Sequence, residues 1–230
     1  GIYSSAMSLM SVIAILRSTF STIWVPASVE HYEKDQDDKS FYVKGNQYIT
    51  VIMFTFGLTL MLCKDIIVLL LGEKYREASY ILPFLLLQPI MYTISETTVV
   101  GIYFKKKSYA SLIISAVSCI VNLAGNFLLI PILGPKGAAV STGLSYIVFF
   151  ALRTWFSNLY YYVNYELCRF AIITLITVGF SVYNTFFTFN ILTVALYIVA
   201  IFALFILYKE SVIELVDIGI SKIKNMKTMK

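Results

Sequence analysis

Residues 121–147 read VNLAGNFLLIPILGPKGAAVSTGLSYI, and this stretch is the best guide to the fold. An apolar run that carries Asn122 and Asn126 reaches Pro131, a turn of proline and glycine follows, and a second apolar run opens with small residues. Proline and glycine mark the turn, while small residues allow helices to pack closely. The stretch therefore predicts two helices joined by a tight turn, which suits either a membrane hairpin or the core of a soluble helical protein.

Composition decides between these two settings. Of the 230 residues, 59% are hydrophobic and only 13% are charged, and the mean hydropathy is +0.80. Soluble globular chains average about 25% charged residues, so this chain has too little charge to cover a surface in water. Several apolar runs reach the roughly 20 residues that a helix needs to cross a bilayer, where each backbone polar group must be satisfied within its own segment. We therefore predict an all-α, polytopic transmembrane helix bundle.

The apolar runs predict about seven spans. The predicted spans are residues 5–25, 46–71, 79–104, 108–133, 136–156, 168–188 and 190–208. The last two are joined so tightly around Phe189 that we expect an antiparallel hairpin, since one continuous helix would far exceed the bilayer. The remainder, residues 209–230, is predicted to be a basic tail.

The basic residues predict the orientation. The connections 26–45, 105–107 and 153–169, together with the tail, hold 13 of the 18 lysines and arginines. The positive-inside rule places these segments and the C-terminus in the cytoplasm, and it accounts for the net charge of +5 without a nucleic-acid partner. The first residue would then lie outside. Because the chain begins with Gly1 and shows no signal peptide, we expect it to be part of a longer protein.

Catalytic and metal-binding groups are scarce in the sequence. The three cysteines, Cys63, Cys119 and Cys168, are far apart and suit apolar packing better than a disulfide or a metal site. The single histidine, His31, lies in an acidic connection, where a solvated side chain is a better interpretation than a proton carrier. Carboxylates are almost absent from the predicted spans, so we expect no enzyme, no metal and no cofactor.

Polar side chains recur at helical spacing on three of the predicted spans. Since lipid makes such residues costly, they predict either a shared hydrated cavity or hydrogen bonds that join the helices. The candidate substrate and cavity residues are Ser8, Ser11 and Arg17 on the first span, Gln88, Tyr92 and Glu96 on the third, and Ser118, Asn122 and Asn126 on the fourth.

Two of these candidates are charged. Arg17 either extends to the cytoplasmic headgroups or binds an anionic substrate. Glu96 favours the cavity interpretation, because a carboxylate held within a membrane span is expensive unless it has a role.

Three motifs in order resemble those of one transporter family. Residues 122–142 follow the pattern N-x3-N-x2-LIP-x-LG-x2-GAA-x2-T, residues 71–78 read LGEKYREA, and residues 23–27 read IWVPA. With the spans between them, these motifs resemble the polysaccharide biosynthesis exporters of the multidrug/oligosaccharidyl-lipid/polysaccharide superfamily. The resemblance covers roughly residues 1–208.

The resemblance implies a fold and a function. Members are two-lobed helix bundles around a central cavity, so residues 1–156 would belong to the C-terminal lobe and residues 168–208 would add two helices. The N-terminal lobe would then precede this chain. Members flip polyprenyl-diphosphate-linked oligosaccharide units across the bacterial inner membrane by alternating access, for O-antigen or capsule, and polysaccharide polymerase machinery would be a further partner.

Two other functions stay open at this point. A multidrug or cation-coupled exporter of the same superfamily would share the bundle and differ in substrate. A membrane polysaccharide polymerase or ligase is disfavoured, because such enzymes need a large outer loop with catalytic Arg or His, and the longest outer connection, residues 64–78, is short and lacks His.

Overall fold

The computed structural model describes the backbone of residues 2–69 and 73–228, and side chains within 17–68 and 77–221. This described part is almost entirely helical and contains no strand, which confirms the all-α prediction. In chain order the α-helices are α1 Ile2–Lys34, α2 Ser40–Leu62, α3 Lys64–Leu69, α4 Leu82–Leu85, α5 Leu87–Thr98, α6 Val100–Phe104, α7 Ser108–Leu133, α8 Pro135–Tyr160, α9 Leu167–Phe186, α10 Ile191–Leu207 and α11 Lys209–Thr228, with a 3₁₀ helix at Glu73–Tyr80 between α3 and α4.

Four of the described helices, α2, α7, α8 and α9, are long and apolar enough to cross a membrane. Helices α10 and α11 together would make a fifth candidate, but they meet at an angle of 90°. The chain is thus a helical protein with four to five candidate spans among the described residues, and the prediction of about seven spans is not confirmed.

The third predicted span, residues 79–104, is where the structure differs most from the predicted spans. It is divided into α4, α5 and α6, with breaks at Ile81, Leu86 and Val99, and almost all of it is buried by other helices. Pro83 and Pro89 lie in the first turns of α4 and α5, and a proline there cannot donate the backbone hydrogen bond that would continue the preceding helix. A run that the hydropathy pattern presents as one lipid-facing helix is therefore a broken helix inside the bundle.

Helix α1 continues beyond its predicted end, through Pro26 to Lys34. The predicted polar connection consequently shrinks to residues 35–39, where Asp35 and Asp38 side chains accept backbone N–H groups. His31 is not simply solvated, since its Nε2 lies 3.0 Å from Asp38 Oδ2 and its ring stacks on a phenylalanine.

The hairpin predicted from residues 121–147 is formed by α7 and α8. Pro131 lies inside α7, and Gly134 makes the turn with φ of +56°, a conformation that glycine adopts without a Cβ penalty. Asn122 on α7 lies 3.4 Å from the hydroxyls of Thr142 and Ser145 on α8, so it faces the neighbouring helix. The rest of α7 is mostly exposed apolar surface, as expected for a helix that contacts lipid.

The C-terminal helices also form a hairpin. Asn190 caps α10 in a reciprocal capping box with Thr193, and the Phe180 and Tyr197 rings meet across the two helices. Residues 209–230, predicted as a tail, instead contain α11, which packs on α2. The apolar spacing within residues 212–220 is what makes this segment a helix.

Candidate functional site

A cavity of about 650 Å³ opens between α5, α6, α7 and α8. Each of these helices contributes polar groups or aromatic rings to its wall. The lining residues are Gln88, Tyr92, Tyr103, Ser111, Ile114, Ser115, Ser118, Cys119, Asn122, Thr142, Ser145, Tyr146, Phe149 and Arg153. The volume lies within the range of small-molecule sites, and a wall of hydroxyl, amide and aromatic groups suits a polar ligand with flat faces.

The α7 wall is a row of hydroxyl and amide groups. Ser111, Ser115, Ser118 and Asn122 are separated by four, three and four residues, so they share one face of the helix. Ser118 Oγ is buried and has no hydrogen-bond partner among the described residues. A buried hydroxyl without a partner is costly, which makes this group available to a ligand or to water.

The α5 wall carries an amide and an aromatic ring one turn apart. Gln88 Nε2 donates to the Tyr146 hydroxyl at 3.1 Å, while its Oε1 is buried and finds no partner in the described part of the chain. Tyr92 stacks on Phe149, with ring centres 5.6 Å apart. Two parallel aromatic rings and a free amide oxygen therefore lie side by side on this wall.

At one end of the cavity, Glu96 and Arg153 form a buried ion pair. Their side chains are only 5% and 9% exposed, and Arg153 Nη1 donates to Glu96 Oε1 at 2.8 Å. Arg153 also donates to Ser95 Oγ at 2.8 Å and to the Tyr103 hydroxyl at 3.0 Å. Because both charges are paired and hydrogen-bonded, the carboxylate can stay in the bundle interior.

A second arginine approaches the same aromatic wall. Arg17, half-buried on α1, places its Cζ 4.3 Å from the centre of the Tyr92 ring, and Arg153 Cζ lies 5.2 Å from that same centre. The two guanidinium carbons are therefore less than about 10 Å apart, and each lies at cation–π distance from Tyr92. Tyr92 in this way joins the cavity to both cations.

The structure brings most of the predicted site residues together. Gln88, Tyr92, Ser118 and Asn122 line the cavity, and Arg17 reaches it through its contact with Tyr92. Glu96 lies behind the wall, on Arg153, and Asn126 lies outside the lining, with its Nδ2 bonded to Asn122 Oδ1 at 3.0 Å. The side chains of Ser8 and Ser11 lie outside the described residues.

Arg153 forms several polar contacts at this site and had two conflicting predictions. It fell both in the predicted span 136–156 and in the predicted cytoplasmic connection 153–169, and the structure places it inside the bundle on α8, which continues to Tyr160. The spacing of Ser145, Phe149 and Arg153 by four places all three on one helical face, and that signal could have identified it. Removing Arg153 from the basic connections lowers their count by one and does not reverse the predicted orientation.

The chain was compared with protein-family models, with curated proteins and with solved structures. None of the three comparisons finds a match. The fold and cavity define a helical protein with four to five candidate membrane spans among the described residues and a polar cavity between its helices.

Proposed function

We propose that this chain is part of a transporter that flips lipid-linked oligosaccharide units across the bacterial inner membrane, with its C-terminus in the cytoplasm. The cavity between α5 and α8 is the observation that carries the proposal, because it combines free hydrogen-bonding groups with stacked aromatic rings inside a bundle of membrane-type helices. The sequence motifs that resemble the exporter family support the same function.

The cavity chemistry suits a sugar. Sugar hydroxyls both donate and accept hydrogen bonds, and the buried oxygens of Gln88 and Ser118 lack partners among the described residues. The apolar face of a pyranose ring stacks well on aromatic side chains such as Tyr92 and Phe149. A polyprenyl chain would stay in the lipid that surrounds the exposed apolar surface of α7.

The negative charge of a diphosphate link needs a cation that is not already neutralised. Arg153 is paired with Glu96, whereas the guanidinium of Arg17 lies over the face of Tyr92 and forms no ion pair within the described residues. Arg17 is therefore the group that would bind the diphosphate. A planar guanidinium suits this role, since it donates several hydrogen bonds to phosphate oxygens.

Transport by alternating access would need the preceding lobe, which rocks against this one around the shared cavity. The broken helix α4–α6 lies between α1, α2 and α8, and such discontinuous helices are typical of substrate sites near the bilayer midplane. Polysaccharide polymerase machinery on the outer side would consume the product.

Substitution of Arg17 tests the proposal. In cells that express the native gene, Arg17→Ala should abolish surface polysaccharide while leaving membrane insertion intact, because the diphosphate loses its cationic partner. Lys34→Ala is the matched control: Lys34 is also on α1 but forms an exposed pair with Glu30, so polymer levels should stay normal. Normal polymer in the Arg17→Ala strain would remove the proposed role.

One observation favours a second candidate, a multidrug or cation-coupled exporter. The Tyr92, Tyr146 and Phe149 rings would also attract an organic cation. Proton coupling would pass through Glu96, the carboxylate paired with the lining residue Arg153, although this pairing favours a fixed charge. If Glu96→Gln supports normal transport at every pH tested, coupling through this residue is excluded.

A further inference from the structure

Helix α11 leaves the bundle at a right angle. It follows α10, a 17-residue helix that contains no charged residue, after the single residue Tyr208, and the two helices differ in direction by 90°. If α10 crosses the membrane, this angle directs α11 along the membrane surface. Continuation into the bilayer is disfavoured, because Lys209, Glu210, Glu214 and Asp217 would each cost about 2.5–3.5 kcal/mol at its centre.

The elbow is held in place by polar contacts to α2. Ser211 Oγ donates to Gln47 Oε1 at 2.9 Å, and Glu214 accepts from Lys44 Nζ at 3.1 Å and from the Tyr48 hydroxyl. Because these contacts lie on the first two turns of α11, the direction of the helix is fixed by the bundle.

Beyond the elbow, α11 is amphipathic. Ile213, Val216 and Ile220 are separated by three and four residues, so they share one face, and they are 50%, 54% and 57% exposed. The acidic and hydroxyl residues Glu210, Glu214, Asp217 and Ser221 are separated by four, three and four residues, so they form a polar stripe that borders the apolar face beside Ile213. The apolar face thus has no partner within the described part of the chain.

An apolar groove continues this face into the bundle. The groove has a volume of about 430 Å³, lies between α2, α10 and α11, and includes Val212, Leu215 and Val216 in its lining. Its other lining residues are Val51, Ile52, Thr55, Phe56, Thr59 and Phe205. A continuous apolar face and groove beside a membrane-type helix suit hydrocarbon chains rather than water.

The sequence beyond the groove is basic. Residues 222–230 read KIKNMKTMK and contain four lysines and no acidic residue. Near a membrane surface, lysines are attracted to anionic headgroups by about 1 kcal/mol each. Along the sequence of α11, exposed apolar residues therefore come first and lysines follow at its end.

We propose that α11 is an interfacial helix that lies in the plane of the membrane. The face of Ile213, Val216 and Ile220 is immersed among lipid acyl chains, one chain occupies the groove between α2, α10 and α11, and the terminal lysines bind anionic headgroups. This proposal does not depend on what the protein transports, because its partner is the bilayer itself.

Site-directed spin labelling of the reconstituted protein tests this placement. The background variant replaces Cys63, Cys119 and Cys168 with Ala, and single nitroxide labels are placed in turn at positions 213, 216, 217, 220 and 221 in anionic lipid nanodiscs. We expect collisions with oxygen to dominate at 216 and 220, and collisions with a water-soluble nickel complex to dominate at 221. Positions 213 and 217, which lie where the two faces meet, should show intermediate access to both reagents, with the period of about 3.6 residues of a helix.

Three outcomes would overturn the in-plane placement. Nickel access at all five positions would place α11 in water, oxygen access at all five would place it across the bilayer, and low access to both reagents along the apolar face would indicate cover by protein.

The same labels in zwitterionic nanodiscs test whether the terminal lysines bind anionic headgroups. We expect less oxygen access at 220 without anionic lipid. This dependence on lipid charge should disappear after Lys222, Lys224 and Lys227 are changed to Gln. If oxygen access in the wild-type protein is insensitive to lipid charge, the lysines do not bind anionic headgroups.

Discussion

The sharpest structural prediction concerns the buried pair of Glu96 and Arg153. Glu96→Leu leaves the guanidinium of Arg153 inside the bundle with two neutral partners, Ser95 and Tyr103, and no counter-charge. Arg153→Met leaves the carboxylate of Glu96 without its cation. Each single substitution therefore creates an uncompensated buried charge, whereas the double substitution removes both charges together.

The size of the effect follows from burial and distance. The two side chains are 5% and 9% exposed and their closest atoms are 2.8 Å apart, so water replaces little of the lost attraction. Breaking such a pair from one side costs about 3–5 kcal/mol, while replacing both members by apolar residues of similar volume is neutral or stabilising by about 1–4 kcal/mol. We expect the free energy of unfolding of each single variant to fall by about 3–5 kcal/mol. In the double variant, most of this loss should be recovered.

Reversible unfolding in mixed micelles measures these free energies, and the double-mutant cycle gives the coupling between the two residues. Glu30→Gln serves as the control, because the pair of Glu30 with Lys34 is exposed and its loss should leave the unfolding midpoint unchanged. Single variants that lose less than about 1 kcal/mol, or a double variant as unstable as the sum of both, would refute the buried pair.

Two further predictions concern helix packing and capping. A Cβ on Gly101 would lie 2.3 Å from the Ser157 carbonyl oxygen, whereas a Cβ on Gly179 would meet nothing within 4 Å. Gly101→Ala should therefore lower the unfolding midpoint, and Gly179→Ala should raise the free energy of unfolding by about 0.4–1 kcal/mol. Equal effects of the two substitutions would contradict the close α6–α8 contact. Asn190→Ala removes the cap of α10 and should cost about 1 kcal/mol in the same unfolding assay, and an unchanged free energy would show that the cap does not stabilise the α9–α10 hairpin.

The sequence predicted the helical class, and helical spacing placed several polar residues of two helices on shared faces. Hydropathy and helical spacing report which residues share a face, and Gln88 with Tyr92 on α5, and Ser118 with Asn122 on α7, do line one cavity. The same periodicity cannot show which helices are neighbours. The pairing of Glu96 with Arg153 depends on tertiary contact between α5 and α8, so neither residue alone reveals it.

Hydropathy also overestimates the number of membrane spans where an apolar run is buried by other helices of the protein. Residues 79–104 are as apolar as a lipid-facing helix, yet Pro83 and Pro89 divide them and other helices cover them. Charge counting failed for Arg153 for a related reason, because a cation near the end of an apolar run can be buried by an ion pair as well as exposed at the membrane surface.

The proposed cargo of the cavity is a lipid-linked sugar that crosses the membrane. The direct measurement is transfer of a polyprenyl-diphosphate oligosaccharide between the leaflets of liposomes that contain the native gene product, followed by the access of an external lectin to the sugar. We expect protein-dependent transfer that is lost in Arg17→Ala, retained in Lys34→Ala, and not accompanied by transport of fluorescent cationic drugs. Transfer at the rate of protein-free liposomes, with drug transport in its place, would contradict it.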